Sequence, residues 1–366
     1  MENNTLPSLI DLKALSRLEL EAFAVEHGQP RFRGRQLFKW MYGKGVSTFE
    51  EMTDLSLSFR EHLSRVAVLP KLFPDILQTA TDGTIKGLFH LPSGRQVEAV
   101  LIPDFDETGN AKRMTVCVSS QVGCAMGCSF CATGLMGFQE NLTPGAIFDQ
   151  VKFMQKMALR HYKRPITNIV YMGMGEPMLN YDNVLKSVEC LTHADGMGLS
   201  PKRITVSTVG LARRIRQLAD DQTAFNLAVS LHAPTDDQRS SIMPVNRKTP
   251  TDLKALLESI QYYTRKTGRE VTYEYCMFAG FNDGEWDASN LANVVDAAPG
   301  KVNLIMYNPV EGLGFQRTDE KQLDRFIKVL VERSVTVTVR RSRGQDIDAA
   351  CGQLRLKAQR EDAGTS

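Results

Sequence analysis

Three cysteines lie close together in the stretch GCAMGCSFCATG. Cys124, Cys128 and Cys131 have the spacing C-x3-C-x2-C, in a chain with seven cysteines among 366 residues. Thiolates clustered in a loop are good ligands for soft metals, above all for iron–sulfur clusters. A zinc finger would bring a second pair of Cys or His ligands. Three thiolates on a four-iron cluster would leave one iron open, whereas three buried cysteines packed as small apolar side chains are the structural alternative.

The chain from about residue 113 onward alternates short β-rich runs with helical stretches. RMTVCVSS, ITNIVYMGM, RITVSTVG and FNLAVSLHA are four of these runs. This alternation predicts right-handed βαβ units and a parallel sheet, either open or curled into a full or partial barrel. Ligands of such sheets bind at the carboxyl ends of the strands, where the cysteine loop, GMGEP, Ser207, SLHA and Asn308 all fall. We therefore expect five loops to converge on one site.

The region before this alternation has two parts. Residues 1–85 carry helix-like apolar patterns broken by Gly and Pro, which predicts a small N-terminal helical domain. The runs GTIKGLFHL and RQVEAVLIP, joined by a PSGR turn, make residues 86–112 a β-hairpin linker. The linker carries Glu98, and its pattern alone indicates an exposed, structural carboxylate. The barrel would span residues 113–345, and residues 346–366 would form a C-terminal loop and tail.

Composition excludes several classes of protein. The chain is 42% hydrophobic, which suits a globular protein with a sizeable core. The N-terminal stretch has early acidic residues and no long apolar run, so we expect neither a signal peptide nor a membrane span. An odd number of clustered cysteines is unlike a secreted disulfide framework, so we expect a cytoplasmic protein with reduced thiols. A net charge of +2 does not by itself demand a nucleic-acid partner.

The run RFRGRQLFKWMYGK contains basic and aromatic residues and no acid. Basic groups neutralise phosphates and aromatic rings stack on unpaired bases, so the run is a candidate RNA platform. The alternative, which we favour for the aromatic side chains, is a solvated helix whose rings face the core. A second basic group precedes the motif DIDAACGQL and is better placed to hold a substrate there: Arg340, Arg341 and Arg343.

The cysteine spacing after the first strand of a βα alternation resembles the signature of the radical S-adenosylmethionine (SAM) superfamily. The resemblance implies an α/β fold with a partial (β/α)6 barrel. It also implies one [4Fe-4S] cluster held by the three cysteines, whose open iron binds SAM and whose electron cleaves it to a 5'-deoxyadenosyl radical. GMGEP resembles the family's SAM-amine motif, in which glycines permit close backbone approach and Glu176 accepts from the ammonium group.

The motifs VSSQVGC, MGMGEP, SLHAP and DIDAACGQL together resemble the RlmN/Cfr family of RNA methyltransferases. The resemblance implies that Cys351 takes a methyl group from one SAM and that a second SAM supplies the radical that activates it. Glu98 would accept the ring proton of adenine, and Cys117 would release the product through a transient disulfide. We interpret Cys190 and Cys276 as core cysteines. The implied SAM contacts are Gly175, Glu176, Ser207, Ser230, Leu231, His232 and Asn308.

Proline in MGMGEP favours the RlmN branch of this family. That branch implies methylation of adenine carbon 2 in 23S rRNA near the peptidyl transferase centre, and in tRNA anticodon loops. An unstacked adenosine in an RNA loop is the expected target. We also expect an electron donor such as flavodoxin, a monomer and no membrane partner. The alternatives are Cfr-type methylation at carbon 8, a radical SAM enzyme with a non-RNA substrate, and a non-enzymatic iron–sulfur RNA-binding protein.

Overall fold

The structure is a computed structural model that describes residues 9–248 and 251–354. The polar tail predicted beyond Lys357 lies outside the described residues, as does the remainder of the predicted segment 346–366 after Leu354. The boundaries predicted for the four segments stay predictions, and the elements below are given with the bounds that the structure has.

Three helices make up most of the N-terminal part. They are α1 (Arg17–Glu26), α2 (Phe32–Phe38), which a π-helical turn (Lys39–Lys44) continues, and α3 (Leu57–Val66). Two short parallel strands, β1 (Ile10–Asp11) and β2 (Ala67–Val68), flank them. Helix α1 starts with a capping box, because Ser16 Oγ accepts from Glu19 N at 3.2 Å and the Glu19 carboxylate accepts from Ser16 N at 2.7 Å.

A buried ion pair docks this N-terminal part on the remainder of the protein. Lys13 Nζ lies 2.6 Å from Asp149 Oδ1, and both side chains are 8% exposed. Asp149 belongs to the long helix α5 (Pro144–Tyr162). Tyr42 Oη donates to Lys13 O at 3.0 Å, so the lysine is fixed at both its backbone and its side chain.

Ten strands form one sheet, in the order β14-β13-β12-β11-β10-β9-β6-β5-β4-β3. The seven strands from β14 to β6 pair in parallel, and β6, β5, β4 and β3 pair antiparallel. A separate hairpin, β7 and β8, carries the cysteine loop between its strands. The bounds are β3 Pro74–Thr79, β4 Ile85–His90, β5 Gln96–Phe105, β6 Ala111–Cys117, β7 Gln121–Gly123, β8 Phe138–Asn141, β9 Asn168–Tyr171, β10 Ile204–Thr208, β11 Asn226–Ser230, β12 Val271–Met277, β13 Gly300–Met306 and β14 Val337–Arg340.

Helices connect successive parallel strands and confirm the predicted partial (β/α)6 barrel. Six strand–helix units run from β6 to β13, and β14 follows the last of them. The helices are α4 Ala132–Leu135, α5, α6 Tyr181–Thr192, α7 Ala212–Asp220, α8 Asp236–Ile242, α9 Val245–Lys248, α10 Leu253–Thr267, α11 Glu285–Ala297 and α12 Glu320–Glu332. Among the described residues, no helix combines the length and the apolar character that a membrane crossing requires.

The predicted hairpin forms, but it is part of the barrel sheet. Strands β4 and β5 correspond to the two β-like runs, and Val100 of β5 pairs with Cys117 of β6. Residues 74–79, which fall inside the segment 1–85 interpreted as helical, form strand β3 instead. They form a strand because they pair antiparallel with the edge of β4, with Leu77 opposite Gly87.

The two faces of each barrel strand have different neighbours. On β6, Met114 and Val116 point outward and are fully buried in the core beneath the helices, which include α5. Thr115 and Cys117 alternate with them and therefore face the lumen. Side chains on the lumen face of the parallel strands are consequently the ones that can reach a ligand.

Candidate active site

The cysteine loop forms one wall of a cavity of about 160 Å³ at the carboxyl ends of the parallel strands, and Cys124, Cys128 and Cys131 all line it. The loop begins with Gly123, whose φ is +69° and where a Cβ atom would lie 1.8 Å from Gly137 O. Only glycine fits that position. Ser129 N donates to Ile242 O at 2.9 Å, which ties the loop to helix α8.

The donor set of this loop fits an iron–sulfur cluster. Burial raises the pKa of Cys124 to about 12 and also raises those of Cys128 and Cys131, and charge on one thiolate further raises the pKa of its neighbours. Three thiolates in this partly buried loop therefore need cations beside them. In the described part of the chain, no three His, Cys, Asp or Glu side chains converge as ligands of a single ion. A four-iron cluster does not need the three thiolates to converge on one ion, because each thiolate binds a different iron.

The GMGEP segment lies on the same cavity and presents a buried carboxylate to it. Glu176 Oε1 accepts from Met178 N at 3.1 Å, and Oε2 accepts from Val209 N at 2.9 Å. Burial raises the pKa of Glu176 to about 7, although these backbone donors favour its ionised form. A bound cation would complete the neutralisation of this carboxylate.

Most of the remaining predicted SAM contacts also line this cavity. Ser207 Oγ and Ser230 Oγ lie 3.3 Å apart, and Asn308 Oδ1 accepts from Gln345 Nε2 at 2.9 Å. His232 Nδ1 accepts from Cys276 N at 3.0 Å, and burial lowers the pKa of His232 to about 3. This histidine is therefore a neutral contact residue. Leu231 is fully buried and is absent from the residues that line the cavity.

Cys351 lines the same cavity from its C-terminal segment. Ala132 N donates to Gly352 O at 2.8 Å, so the segment is fastened beside the cysteine loop. Burial raises the pKa of Cys117 to about 12, and charge on Cys351 raises it further. Cys117 faces the lumen from the end of β6, but it is not among the residues that line this cavity. All seven cysteines are free thiols in this structure.

Glu98 is buried, which corrects the interpretation of an exposed strand carboxylate. It is 3% exposed because β5 is an inner strand of the sheet, with β4 on one side and β6 on the other. Lys86 Nζ lies 3.4 Å from Glu98 Oε1 and donates to Asp348 O at 3.5 Å. Glu98 is not among the residues that line the cavity, but Lys86 joins it to the segment that carries Cys351.

Arg340 lies close to Cys351 on the cavity wall. Its Nη1 donates to Met172 Sδ at 3.6 Å. Negative charge on Cys351, on Glu274 and on Cys117 raises the pKa of Arg340. Sequence reasoning missed Lys86 and Glu274 entirely. Their only signal is a charged residue at a lumen-facing position of an otherwise apolar strand.

Two family models match the chain. Residues 10–69 match the model described as ribosomal RNA large subunit methyltransferase N-terminal domain, and residues 118–292 match the radical SAM superfamily. A Salinibacter ruber protein named probable dual-specificity RNA methyltransferase RlmN is 63% identical over 96% of this chain and 95% of its own length. The chain belongs to the RlmN family. A Geobacter sulfurreducens dual-specificity RNA methyltransferase RlmN is 44% identical, over 96% of this chain and 94% of its own.

A solved structure supports the same assignment. The crystal structure of a radical SAM methyltransferase from Sphaerobacter thermophilus is 43% identical, covers 94% of this chain and 99% of its own, and superposes with a TM-score of 0.85. As a radical SAM protein of the RlmN family, the chain uses a [4Fe-4S] cluster and SAM. The cavity described above is the part of the structure whose donor set fits both.

The basic run RFRGRQLFKWMYGK, in the N-terminal domain, exposes basic side chains and buries most of its aromatic rings. Phe38, Trp40 and Tyr42 are buried in the core, and Phe32 is exposed. The side chains of Arg31 and Lys39 are mostly exposed. The favoured interpretation of a helix with inward-facing aromatics is therefore confirmed for these three rings. Among the predicted core cysteines, Cys190 lies in the core, whereas Cys276 is buried and also lines the cavity.

Proposed function

We propose that this chain is a dual-specificity RNA methyltransferase that methylates carbon 2 of an adenosine, in 23S rRNA near the peptidyl transferase centre and in tRNA anticodon loops. One observation carries the proposal. Cys351 lies on the cavity wall beside the three clustered cysteines, and Glu98 is joined to its segment through Lys86. Cys117 ends strand β6 on the lumen side, and charge on Cys351 raises its pKa. The names of the curated relatives support the RNA substrates.

The arrangement answers a chemical difficulty. The ring carbons of adenine that lie between two nitrogens are not nucleophiles, so they cannot attack the methyl group of SAM directly. When bound, the cluster and SAM supply a methyl group and a one-electron route to a carbon radical. Cys124, Cys128 and Cys131 would hold the cluster. Glu176 would accept from the ammonium group of SAM, with Gly175, Ser207, Ser230, Leu231, His232 and Asn308 as its other contacts.

The protein's own residues carry the methyl group to the base. Cys351 acts as a thiolate nucleophile that accepts a methyl group, and Arg340 lines the same cavity beside it. The methyl group of Cys351 would first lose one hydrogen atom to the radical that the cluster and SAM supply, and its methylene carbon would bond to the adenine. Glu98 removes the ring proton, and the adduct would return one electron to the cluster. Cys117 then attacks the Cys351 sulfur, forming an S–S bond and breaking the C–S bond. The electron pair of that bond stays on the carbon, which takes up a proton and becomes the new methyl group. An external reductant restores both thiols.

The test is the variant Cys117→Ala. It should keep the cluster and the methylated Cys351, because those steps precede the role of Cys117, but it should accumulate RNA covalently attached through Cys351. Purified protein is digested with ribonuclease, and the Cys351 peptide is examined by mass spectrometry for a linked nucleotide. Cys190→Ala, in the core, is the matched control and should be free of RNA. An RNA-free Cys117→Ala protein with normal turnover would contradict the mechanism.

The identity of the product distinguishes methylation at carbon 2 from methylation at carbon 8. Nucleoside analysis of rRNA and tRNA after reaction should contain 2-methyladenosine, whereas 8-methyladenosine would assign Cfr-type chemistry. We propose further that the protein is a cytoplasmic monomer supplied with electrons by a carrier such as flavodoxin. These three points follow from the family resemblance, and reconstitution with and without flavodoxin tests the last of them.

A further inference from the structure

A second and larger cavity of about 610 Å³ occupies the lumen on the amino-terminal side of the first. On β10 the second cavity meets Thr205 and the first meets Ser207, and on β12 the second meets Thr272 and the first meets Cys276. Cys351 lines both cavities. The carrier thiol therefore stands at the boundary between two spaces inside the barrel.

The two spaces differ in what they offer a ligand. The cysteine loop, Glu176 and Ser230 belong to the first cavity alone. When the cluster and SAM fill that space, a target base must approach Cys351 from the other side. The second cavity borders Cys351 on that side.

The walls of the second cavity suit a neutral heterocycle. A belt of hydrogen-bonding side chains surrounds the lumen, made of Thr115, Asn168, Thr205, Thr272, Asn303 and Thr338. Part of the belt is pre-ordered, because Asn303 Nδ2 donates to Glu274 Oε2 at 2.7 Å and Thr338 Oγ1 donates to Asn303 Oδ1 at 3.0 Å. Hydroxyl and amide groups of this kind read the donor and acceptor edges of a base.

The charged residues of this cavity favour a phosphate. Arg343 Nη2 lies 3.6 Å from Asp104 Oδ1, and Arg341, mostly exposed, lies 3.5 Å from Glu320. Arg113 is exposed and stands opposite Asp104 in the strand register, yet its guanidinium makes no hydrogen bond or ion pair with the residues 9–248 and 251–354. A guanidinium with its donors available at the edge of a polar cavity is suited to a phosphate group.

We propose that the second cavity holds the target nucleotide, with its base beside Cys351 and its backbone phosphate on Arg113. The inference rests on the proposed function, because it takes Cys351 to be the methyl carrier and RNA to be the substrate. It adds a binding site, a direction of entry from the amino-terminal side of the barrel, and a specific phosphate contact.

The first test compares Arg113→Gln with Lys112→Gln. Lys112 is an exposed cation on the same strand, but it faces outward and lines neither cavity. Loss of one charge-assisted phosphate contact should raise the KM for RNA about tenfold. The salt dependence of RNA binding should also fall by about one unit of slope. Lys112→Gln should change neither quantity, and equal effects of the two variants would overturn the proposal.

The second test fills the lumen with Thr272→Phe. If the base occupies this cavity, RNA methylation should fall at least a hundredfold while Cys351 still acquires its methyl group, because that step takes place in the first cavity. Peptide mass spectrometry of Cys351 also shows that the variant is folded. Normal RNA methylation by a folded Thr272→Phe protein would exclude the site. An unmethylated Cys351 in the wild-type protein would instead refute the proposed function itself.

Discussion

Lys86 forms an ion pair with Glu98. Its side chain and that of Glu98 are 6% and 4% exposed, with Nζ and Oε1 3.4 Å apart. They are diagonal neighbours on the same face of β4 and β5, because Lys86 pairs with Val100 in the register. Lys86 also donates to Asp348 O, three residues before Cys351. One lysine thus joins the proposed proton acceptor to the segment that carries the proposed methyl carrier.

Replacing Lys86 by Met keeps the length of the side chain and removes its charge. The carboxylate of Glu98 then remains buried without its cation, a change that costs about 3–5 kcal/mol when one partner of a buried pair is removed. A domain with about 5–15 kcal/mol of stability can absorb this loss and still fold. The displacement of Glu98 and of the Cys351 segment should reduce RNA methylation by about a hundredfold, because small misplacements of reacting groups have effects of that size.

Urea unfolding of the cluster-free protein measures the first effect. The set comprises wild type, Lys86→Met, Glu98→Gln and the double variant, with Lys112→Met as an exposed control. The double variant should be more stable than the sum of the single losses predicts, by at least about 1 kcal/mol, because each single substitution already removes the same ion pair. If the losses add to within about 0.5 kcal/mol, the two groups do not interact and the reasoning is refuted.

Three further predictions concern the first cavity. Cys128→Ala should abolish the four-iron absorbance of anaerobically reconstituted protein, whereas Cys190→Ala should retain it. Because burial raises the pKa of Glu176 from 4.5 to about 7, the folded state binds this proton more tightly than the unfolded chain does. The cluster-free protein should therefore lose about 3 kcal/mol of stability as pH rises from about 4.5 through 7, and urea titrations of Glu176→Gln should lack this loss. Gly173→Ala would place a Cβ atom 2.7 Å from Ser119 Oγ and Val118 O, so calorimetry should record a lower Tm and weaker SAM binding.

The barrel could be predicted from the sequence because the patterns that indicate its strands and helices are local. Each short β-rich run is followed by a helix, and chain connectivity then requires parallel strands whose carboxyl ends share one edge. That rule alone brought the cysteine loop, Glu176, Ser207 and Asn308 to one place, and the structure has them on one cavity. The details of the motifs were needed only to say what this cavity would hold.

The burial of Glu98 could not be predicted in the same way. A β-hairpin pattern such as RQVEAVLIP is the same whether the hairpin stands in solvent or joins a larger sheet. Here Val100 pairs with Cys117, and that register depends on residues that are distant in sequence. The belt of hydrogen-bonding side chains in the second cavity was not predicted, for a related reason. Threonine and asparagine on strands such as β12 and β13 resemble solvent-facing positions unless the closure of the barrel is known.

Pairing between the hairpin and the barrel also explains why Cys351 can be carried on a segment with little regular structure. Asp82 Oδ2 accepts from Gly344 N at 2.8 Å, and Asp346 Oδ2 accepts from Thr81 N at 2.9 Å. Lys86 makes the third contact. In the proposed reaction the Cys351 thiol has to meet SAM, then a base, then Cys117, so its segment must be held at one end and remain adjustable at the thiol. Because the β3–β4 turn holds that end while β5 carries Glu98, any movement of the hairpin shifts the thiol and the proposed proton acceptor together.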